Sequence, residues 1–350
     1  MVNALQNIEK GNTKSISAEG ADELKALGER MHTEYPTVFK GHVNLKVATT
    51  KEVRTKQSAD AFLQGLNAKL TDTAINFYND DTNLRFYDLS PAYKQFEDDV
   101  DKGDLTLTLE KKEHLDEING AVAGRIFNSD FLKQLDASTQ AKFVADVFGF
   151  ATIVYSLDNE ITQAGFTPGE LDFKSFFTCD ELRSLALLDA ADEYLKKGPG
   201  VNNDGIQVRV AVPLLVDFIN TADEHIKSDK YNARLRFAHA ETIAPFAALL
   251  QISSADKVAK DLTRLSDSWQ ASKVIPLSSN IQWVFYKSKT KPGYLVKILL
   301  NEKEAHITGL NTAMFPYYKW SDLRAFYMAK LSKANVQLAD DMNKYLTTIH

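Results

Sequence analysis

Three side chains in this sequence have the types and the setting for phosphate chemistry: His239, Glu241 and Arg54. His239 and Glu241 lie two residues apart in the run Ala233-Arg234-Leu235-Arg236-Phe237-Ala238-His239-Ala240-Glu241-Thr242. Apolar Leu235, Phe237 and Ala238 predict a short buried strand, and Ile243, Phe246, Ala247 and Leu250 follow at helical spacing. The carboxyl end of a strand just before a helix is where open α/β sheets place ligands, and helix N-termini favour anions. A cation-capable His beside a carboxylic acid suits phosphate there: one group holds it and the other supplies a proton.

Arg54 sits in a second arrangement of this kind. Val43 to Thr49 alternates apolar and polar side chains as a strand does, Thr49 and Thr50 close it, and a helix follows from about Val53 to Leu66. Arg54 and Ser58 are one turn apart on that helix, which makes a plausible phosphate cradle. Taken alone, Arg54 is more simply a surface arginine. His239 and Glu241 alone read equally well as a satisfied buried pair.

The rest of the chain has to position these groups. Its 350 residues suffice for one large domain or two modest ones, and 44% hydrophobic with 25% charged content is ordinary for a globular chain. Forty-one basic against 47 acidic residues give a net charge of −6, which argues against a general nucleic-acid partner. Cys179 is the only cysteine, so an internal disulfide is excluded. No run approaches the roughly 18 apolar residues of a membrane span. The first ten residues lack the apolar core of a signal peptide, so as written nothing exports the chain. No spacing of His, Cys and carboxylates points to zinc.

In chain order, Ser17 caps a helix running to about Met31, ended by Tyr35-Pro36. From Tyr93 to about Lys197 the periodicity is helical throughout, and Gly198-Pro199-Gly200 breaks it. A helix over about Val208 to Ile226 precedes the His239 strand, and residues 252–270 also look helical. Ile281 to Tyr286 and Tyr294 to Leu300 read as strands about the turn Lys291-Pro292-Gly293, before helices over Trp320–Leu331 and Val336–Leu346. A helical block between strand-bearing regions predicts an α/β fold of residues 1–88 and 200–350, with an open mixed sheet flanked by helices. An all-helical cap, residues 89–199, is inserted in it.

Arg236 to Thr242, with its His-Ala-Glu, resembles the signature of the multiple inositol polyphosphate phosphatases, a branch of the histidine acid phosphatases that includes phytases. Val47 to Leu66 is similar to that family's segment with a phosphate-binding Arg followed by S-A-x-x-F-x-x-G. Leu84 to Asp88, Tyr194 to Gly200, Ser278 to Trp283 and Leu299 to Glu304 resemble further family segments. The resemblance runs in order from about residue 15 to about residue 330.

It implies phosphomonoester hydrolysis of inositol polyphosphates such as phytate, through a phosphohistidine, without metal or organic cofactor. By it, Arg54 and His239 bind phosphate and Glu241 is the proton donor. Partners beyond that small molecule, nucleic acid and membrane included, are not implied. The chain reads as a monomer, and the family's members are secreted or periplasmic. Lys46, Lys51, Lys56 and Arg85 lie near the first phosphate segment and either help to neutralise a polyanion or are solvated surface charge.

The family's nucleophile lies in an R-H-G-x-R-x-P motif, and none of the seven histidines sits in Arg-His-Gly. Arg30-Met31-His32-Thr33-Glu34-Tyr35-Pro36 shares letters with it, but its His is displaced by one and Glu34 replaces an arginine; His32 reads as a helix-end residue. The expectation is an N-terminally truncated phosphatase whose nucleophile strand lies upstream of Met1. The alternative is a non-catalytic anion-binding pseudophosphatase.

Overall fold

The computed structural model describes residues 2–10, 13–67, 70–290 and 292–350. Strand β1 (His42–Thr49) lies between β2 (Asp72–Asn79) and β3 (Ala233–Phe237) in a parallel three-stranded sheet. A second, antiparallel sheet has β5 (Tyr294–Leu300) paired with β4 (Ile281–Lys287) and with the short β6 (Lys303–Glu304) and β7 (Tyr317–Lys319). The expected α/β class is correct. Its parallel and antiparallel strands, however, form two separate sheets, and β3 and β4 each keep one edge unpaired among the described residues. For that reason β3, read from its apolar residues as buried, is only half-buried along its length: β1 alone flanks it.

On one face of β1, Val43, Leu45 and Val47 are fully buried against helices α1 (Ala18–Glu34) and α2 (Val53–Asn67). Ser17 starts α1 as predicted, its hydroxyl accepting from the Gly20 N–H at 3.1 Å. The two helices cross backbone to backbone at a pair of glycines. A Cβ on Gly65 would run into the Lys25 carbonyl, and one on Gly28 into that of Phe62. Removing two side chains lets α2, which carries Arg54, lie directly on α1.

From α3 (Pro91–Asp101) to α4 (Cys179–Lys196) the chain is entirely helical. Thr178 and Glu181 form a capping box at the start of α4, satisfying two of its free N–H groups. Helices between residues 115 and 177 build small cores of their own around Val122 and Val144 and around Ile161 and Phe173. Tyr93, Tyr194 and Leu195, at either end of the block, pack instead into the main core.

Helix α5 (Val212–Ser228) ties the two sheets together. Its Glu224 and Asp217 hold Arg234 and Arg236 of β3, each at 2.6 Å, while Phe218 meets Trp283 of β4 at 5.1 Å between ring centres. Helices α6 (Ala240–Leu249) and α7 (Trp320–Lys333) complete the main core, with Phe246 and Tyr327 almost wholly enclosed.

Several predicted elements come out differently. The helix expected over Val208–Ile226 is broken into Ile206–Arg209 and α5, because Pro213 in the first turn of α5 has no N–H to extend a helix through it. Residues 252–270 form only a 3₁₀ segment at Leu262–Asp267. Parts of their backbone are taken by tertiary partners: Ser253 N–H donates to His306 O at 2.9 Å, and Lys257 O accepts from the Tyr194 hydroxyl at 3.2 Å. The last helix starts at Met342 rather than Val336, where Asp341 accepts from Asn343 N–H. Strand β2 escaped notice because as an edge strand it is largely exposed and carries three Asp and Asn residues, Asp72, Asn76 and Asn79. In the turn before β5, Lys291 lies outside the described residues.

The glycine contact gives a stability test. Gly65→Ala should cost about 1–3 kcal/mol through forced separation of α1 and α2. Gly124→Ala, where nothing lies within 4 Å of an added Cβ, should instead gain up to about 1 kcal/mol from helix propensity. Urea unfolding midpoints of the two variants moving in the same direction would refute this account.

Candidate active site

Strands β1 and β3 run parallel with Thr49 opposite Phe237, so their carboxyl ends finish side by side. Asn232 fixes the register just before β3: its side chain accepts from Asn44 N–H at 2.8 Å and its own N–H donates to Asn44 O at 2.9 Å. Beyond Thr49 the chain turns into α2, whose second residue is Arg54; beyond Phe237 it turns into α6, whose N-cap is His239. The two helix starts meet. Arg54 Nε and Nη2 lie 3.3 and 3.2 Å from His239 Nδ1.

That contact determines the state of the imidazole. A guanidinium has only donors, so Nδ1 must accept and the ring proton sits on Nε2. Nε2–H points to Thr50 Oγ1 at 3.1 Å. Thr50 Oγ1 lies 3.0 Å from Thr55 Oγ1, which donates to Glu52 O at 2.9 Å, so each hydroxyl passes its hydrogen to the next acceptor. The Tyr87 ring stands edge-on to the imidazole, 6.0 Å away. Burial, and next the charge of Arg54, push His239 down to about 4, so the ring is neutral at mildly acidic pH. A phosphate inserted between Arg54 and His239 would reverse that preference, since an anion favours the charged ring and takes two donors from the guanidinium.

Glu241 lies in the first turn of α6, where the free N–H groups favour a carboxylate. Thr242 pins this turn by donating to Leu84 O at 2.6 Å. Lys197, the C-cap residue of α4, reaches Glu241 Oε1 at 3.2 Å and Glu193 Oε1 at 2.8 Å. Burial, the largest single influence, would raise the Glu241 carboxyl, but the charge and hydrogen bond of Lys197, the backbone N–H at the helix start and His239 together hold the group below the ordinary carboxylate range.

The structure thus gathers Arg54 and His239 in one contact and sets Glu241 two residues further, on the helix that His239 caps. The neighbouring cations are engaged with partners of their own. Arg85 is bound to Glu52 at 2.6 Å and Asp88 at 2.5 Å, Lys51 to Asp81 at 3.5 Å and Lys56 to Asp60, while Lys46 lies over the Tyr78 ring. His32 stacks on Phe39 in the last turn of α1, at the opposite end of β1 from the site, in keeping with a helix-end residue. Other histidine rings also make contacts elsewhere: His42 with Asp72, His114 with Glu117, His225 with Asp229, and His306 with Phe315. Among the described residues no group of three or more His, Cys, Asp or Glu is placed to hold a metal ion, and no helix is long and apolar enough to cross a membrane.

Thr50, Thr55 and Lys197 were not anticipated as members of this site. A threonine ending a strand signals only a turn, and Lys197 is joined to Glu241 through space across 44 residues.

The depressed His239 has a thermodynamic consequence. Between its ordinary 6.5 and about 4 the unfolded chain binds the proton that the folded chain refuses, so this residue's contribution to stability is lost as pH falls through that window. The urea midpoint of the wild-type chain should therefore drop more between neutral pH and the bottom of the window than that of His239→Gln. Ring-nitrogen NMR should show the Nε2–H tautomer above it; titration of His239 near its ordinary value would contradict the geometry.

The sequence pattern of the histidine phosphatase superfamily (branch 2) matches residues 6–301. Multiple inositol polyphosphate phosphatase 1 of Gallus gallus is 22% identical over 361 aligned residues, covering 93% of this chain and 74% of that protein. Among solved structures, the multiple inositol polyphosphate phosphatase of Bifidobacterium longum in complex with inositol hexasulfate superposes with a TM-score of 0.78 at 21% identity, over 94% of this chain and 83% of that one. The phytase of D. castellii gives 0.62 at 16% identity, over 95% and 70%. These likenesses carry the fold, and the extent of the matched pattern carries the family: the chain belongs to branch 2 of the histidine phosphatase superfamily.

Proposed function

We propose that this chain carries the phosphate-binding and leaving-group half of an inositol polyphosphate phosphatase site. The observation that supports it most directly is the meeting of Arg54 with His239 at two helix starts beside paired strand ends, with Glu241 in the first turn of one of them. Arg54 offers a planar fork of donors to phosphate oxygens, and His239, once protonated by the arriving anion, adds another. Glu241 then protonates the inositol oxygen as its bond to phosphorus breaks.

Family membership and the likeness to phosphatases and phytases that act on inositol polyphosphates favour this substrate class. A purely anion-binding protein would have no use for a carboxylate facing a polyanion. The rings of His32, His42, His114, His225 and His306 make contacts away from this site, which supports reading the residues gathered here as its binding and proton-donating part. We further read residues 89–199 as a cap over a platform formed by 1–88 and 200–350, since the helices between 115 and 177 have cores of their own.

Titration with inositol hexakisphosphate, read by calorimetry, tests the reading. Arg54→Ala should weaken binding by about 10- to 100-fold, from the loss of charge-assisted hydrogen bonds, and Arg54→Lys should restore little of it. Glu241→Gln should keep binding and lower any phosphate release by about 10²- to 10⁴-fold. No binding by the wild-type chain, or binding indifferent to Arg54, would refute it.

A further inference from the structure

Two consecutive lysines end α4, and they are used differently. Lys196 points to Asp101 and Asp192, at 2.7 Å each, away from the site. Lys197 points into it, only 13% exposed, and bridges Glu193 and Glu241. Glu193 sits one turn back on the same helix, and its second carboxylate oxygen is buried and takes no hydrogen bond from the protein. One ammonium therefore serves two carboxylates, one of which is the group read above as the proton donor.

The surroundings of this bridge come from several elements. Asp189 and Glu193 face it from α4, Glu97 and Tyr93 from α3, Tyr87 from the short helix Phe86–Leu89, and His239 from the start of α6. Lys196 from α4, Arg54 from α2 and Arg85 add positive charge around the same groups. With Glu241 ionised, its own negative charge opposes an approaching polyanion at this point. With Glu241 protonated, that charge is gone and Lys197 has lost one of its two acceptors.

We propose that Lys197 is a shared cation that couples substrate binding to loading of the acid: in the free chain it holds Glu241 as a carboxylate, and when a polyphosphate arrives it turns to a substrate phosphate while Glu241 takes up a proton from solvent. The balance closes with the phosphoryl acceptor included. Phosphorus forms a bond to the attacking nucleophile, an imidazole nitrogen or a water oxygen that gives its proton to solvent, as its bond to the inositol oxygen breaks. That bond's electron pair stays on the inositol oxygen, the proton taken up by Glu241 moves onto it, and Glu241 returns to Lys197 as a carboxylate. The flexible four-carbon stem of lysine permits this change of partner, which the rigid fork of an arginine would resist. Burial opposes the charge on Lys197, yet Glu241 and Glu193 outweigh it and keep the ammonium form favoured, so the cation is present to be shared. Lys197 is here a positioning residue acting through Glu241, and the proposal rests on the reading of Glu241 as proton donor.

The test measures proton uptake on binding of inositol hexakisphosphate, by calorimetry in buffers of different ionisation enthalpy at mildly acidic pH. Wild-type chain should take up about one proton more than Glu241→Gln, the remainder arising at His239 and on the ligand. Lys197→Met should weaken binding by about tenfold and remove the same increment, because Glu241 is then no longer held ionised before binding. Should Lys197→Met fail to fold, the comparison of wild type with Glu241→Gln stands without it. Arg54-dependent binding with equal uptake in wild type and Glu241→Gln would overturn this inference alone. Absence of binding by the wild-type chain would overturn the functional reading and this inference with it.

Discussion

The site depends on the parallel pairing of β1 with β3. Their register, Thr49 opposite Phe237, brings two chain turns from distant parts of the sequence to the same level, and each turn opens a helix. A slip of one residue would move every side chain of a strand to the other face and separate Arg54 from His239. Three other features protect that register. Asn232 clips the start of β3 to Asn44, α5 grips β3 through Arg234 and Arg236, and the contact at Gly28 and Gly65 lets α2 lie close against α1.

Within this frame, electrostatics assigns the parts. Arg54 and His239 share a small buried volume, so only one of them carries charge in the free chain, and the always-charged guanidinium takes it. The imidazole is left neutral, with its tautomer fixed by Thr50 and its lone pair facing the cation. Glu241 faces the opposite problem. Burial would neutralise it, and an ammonium contributed by the far end of the helical block, with the helix-start N–H beside it, keeps it ionised. Both groups thus rest in the protonation state that a bound phosphate would change. Two separate stretches of chain impose those states.

Much of this was legible in the residues themselves. The strands ending at Thr49 and Phe237 follow from short apolar runs closed by polar residues, and the helices after them from apolar spacing; Ser17 announces its cap locally. His239 and Glu241 stand out because two chemically useful types lie two residues apart at a predicted strand-to-helix turn. The sequence misled where the backbone had partners far away in the chain. Residues 252–270 have helical spacing, yet Ser253 N–H is spent on His306 and the backbone of Lys257 and Ala259 on the Tyr194 hydroxyl; β2 is polar because an exposed edge does not demand otherwise.

By itself the sequence determined the α/β class, the helical block, and the candidacy of Arg54, His239 and Glu241, since all three are consequences of local order: periodicity, capping and residue type at a turn. Only the tertiary structure decided that the strands divide into two sheets, that Arg54 faces His239 Nδ1, and that Lys197 holds Glu241. These are contacts between residues 44 to 185 positions apart. No local pattern encodes such a distance. It is set by how apolar faces pack once the elements already exist.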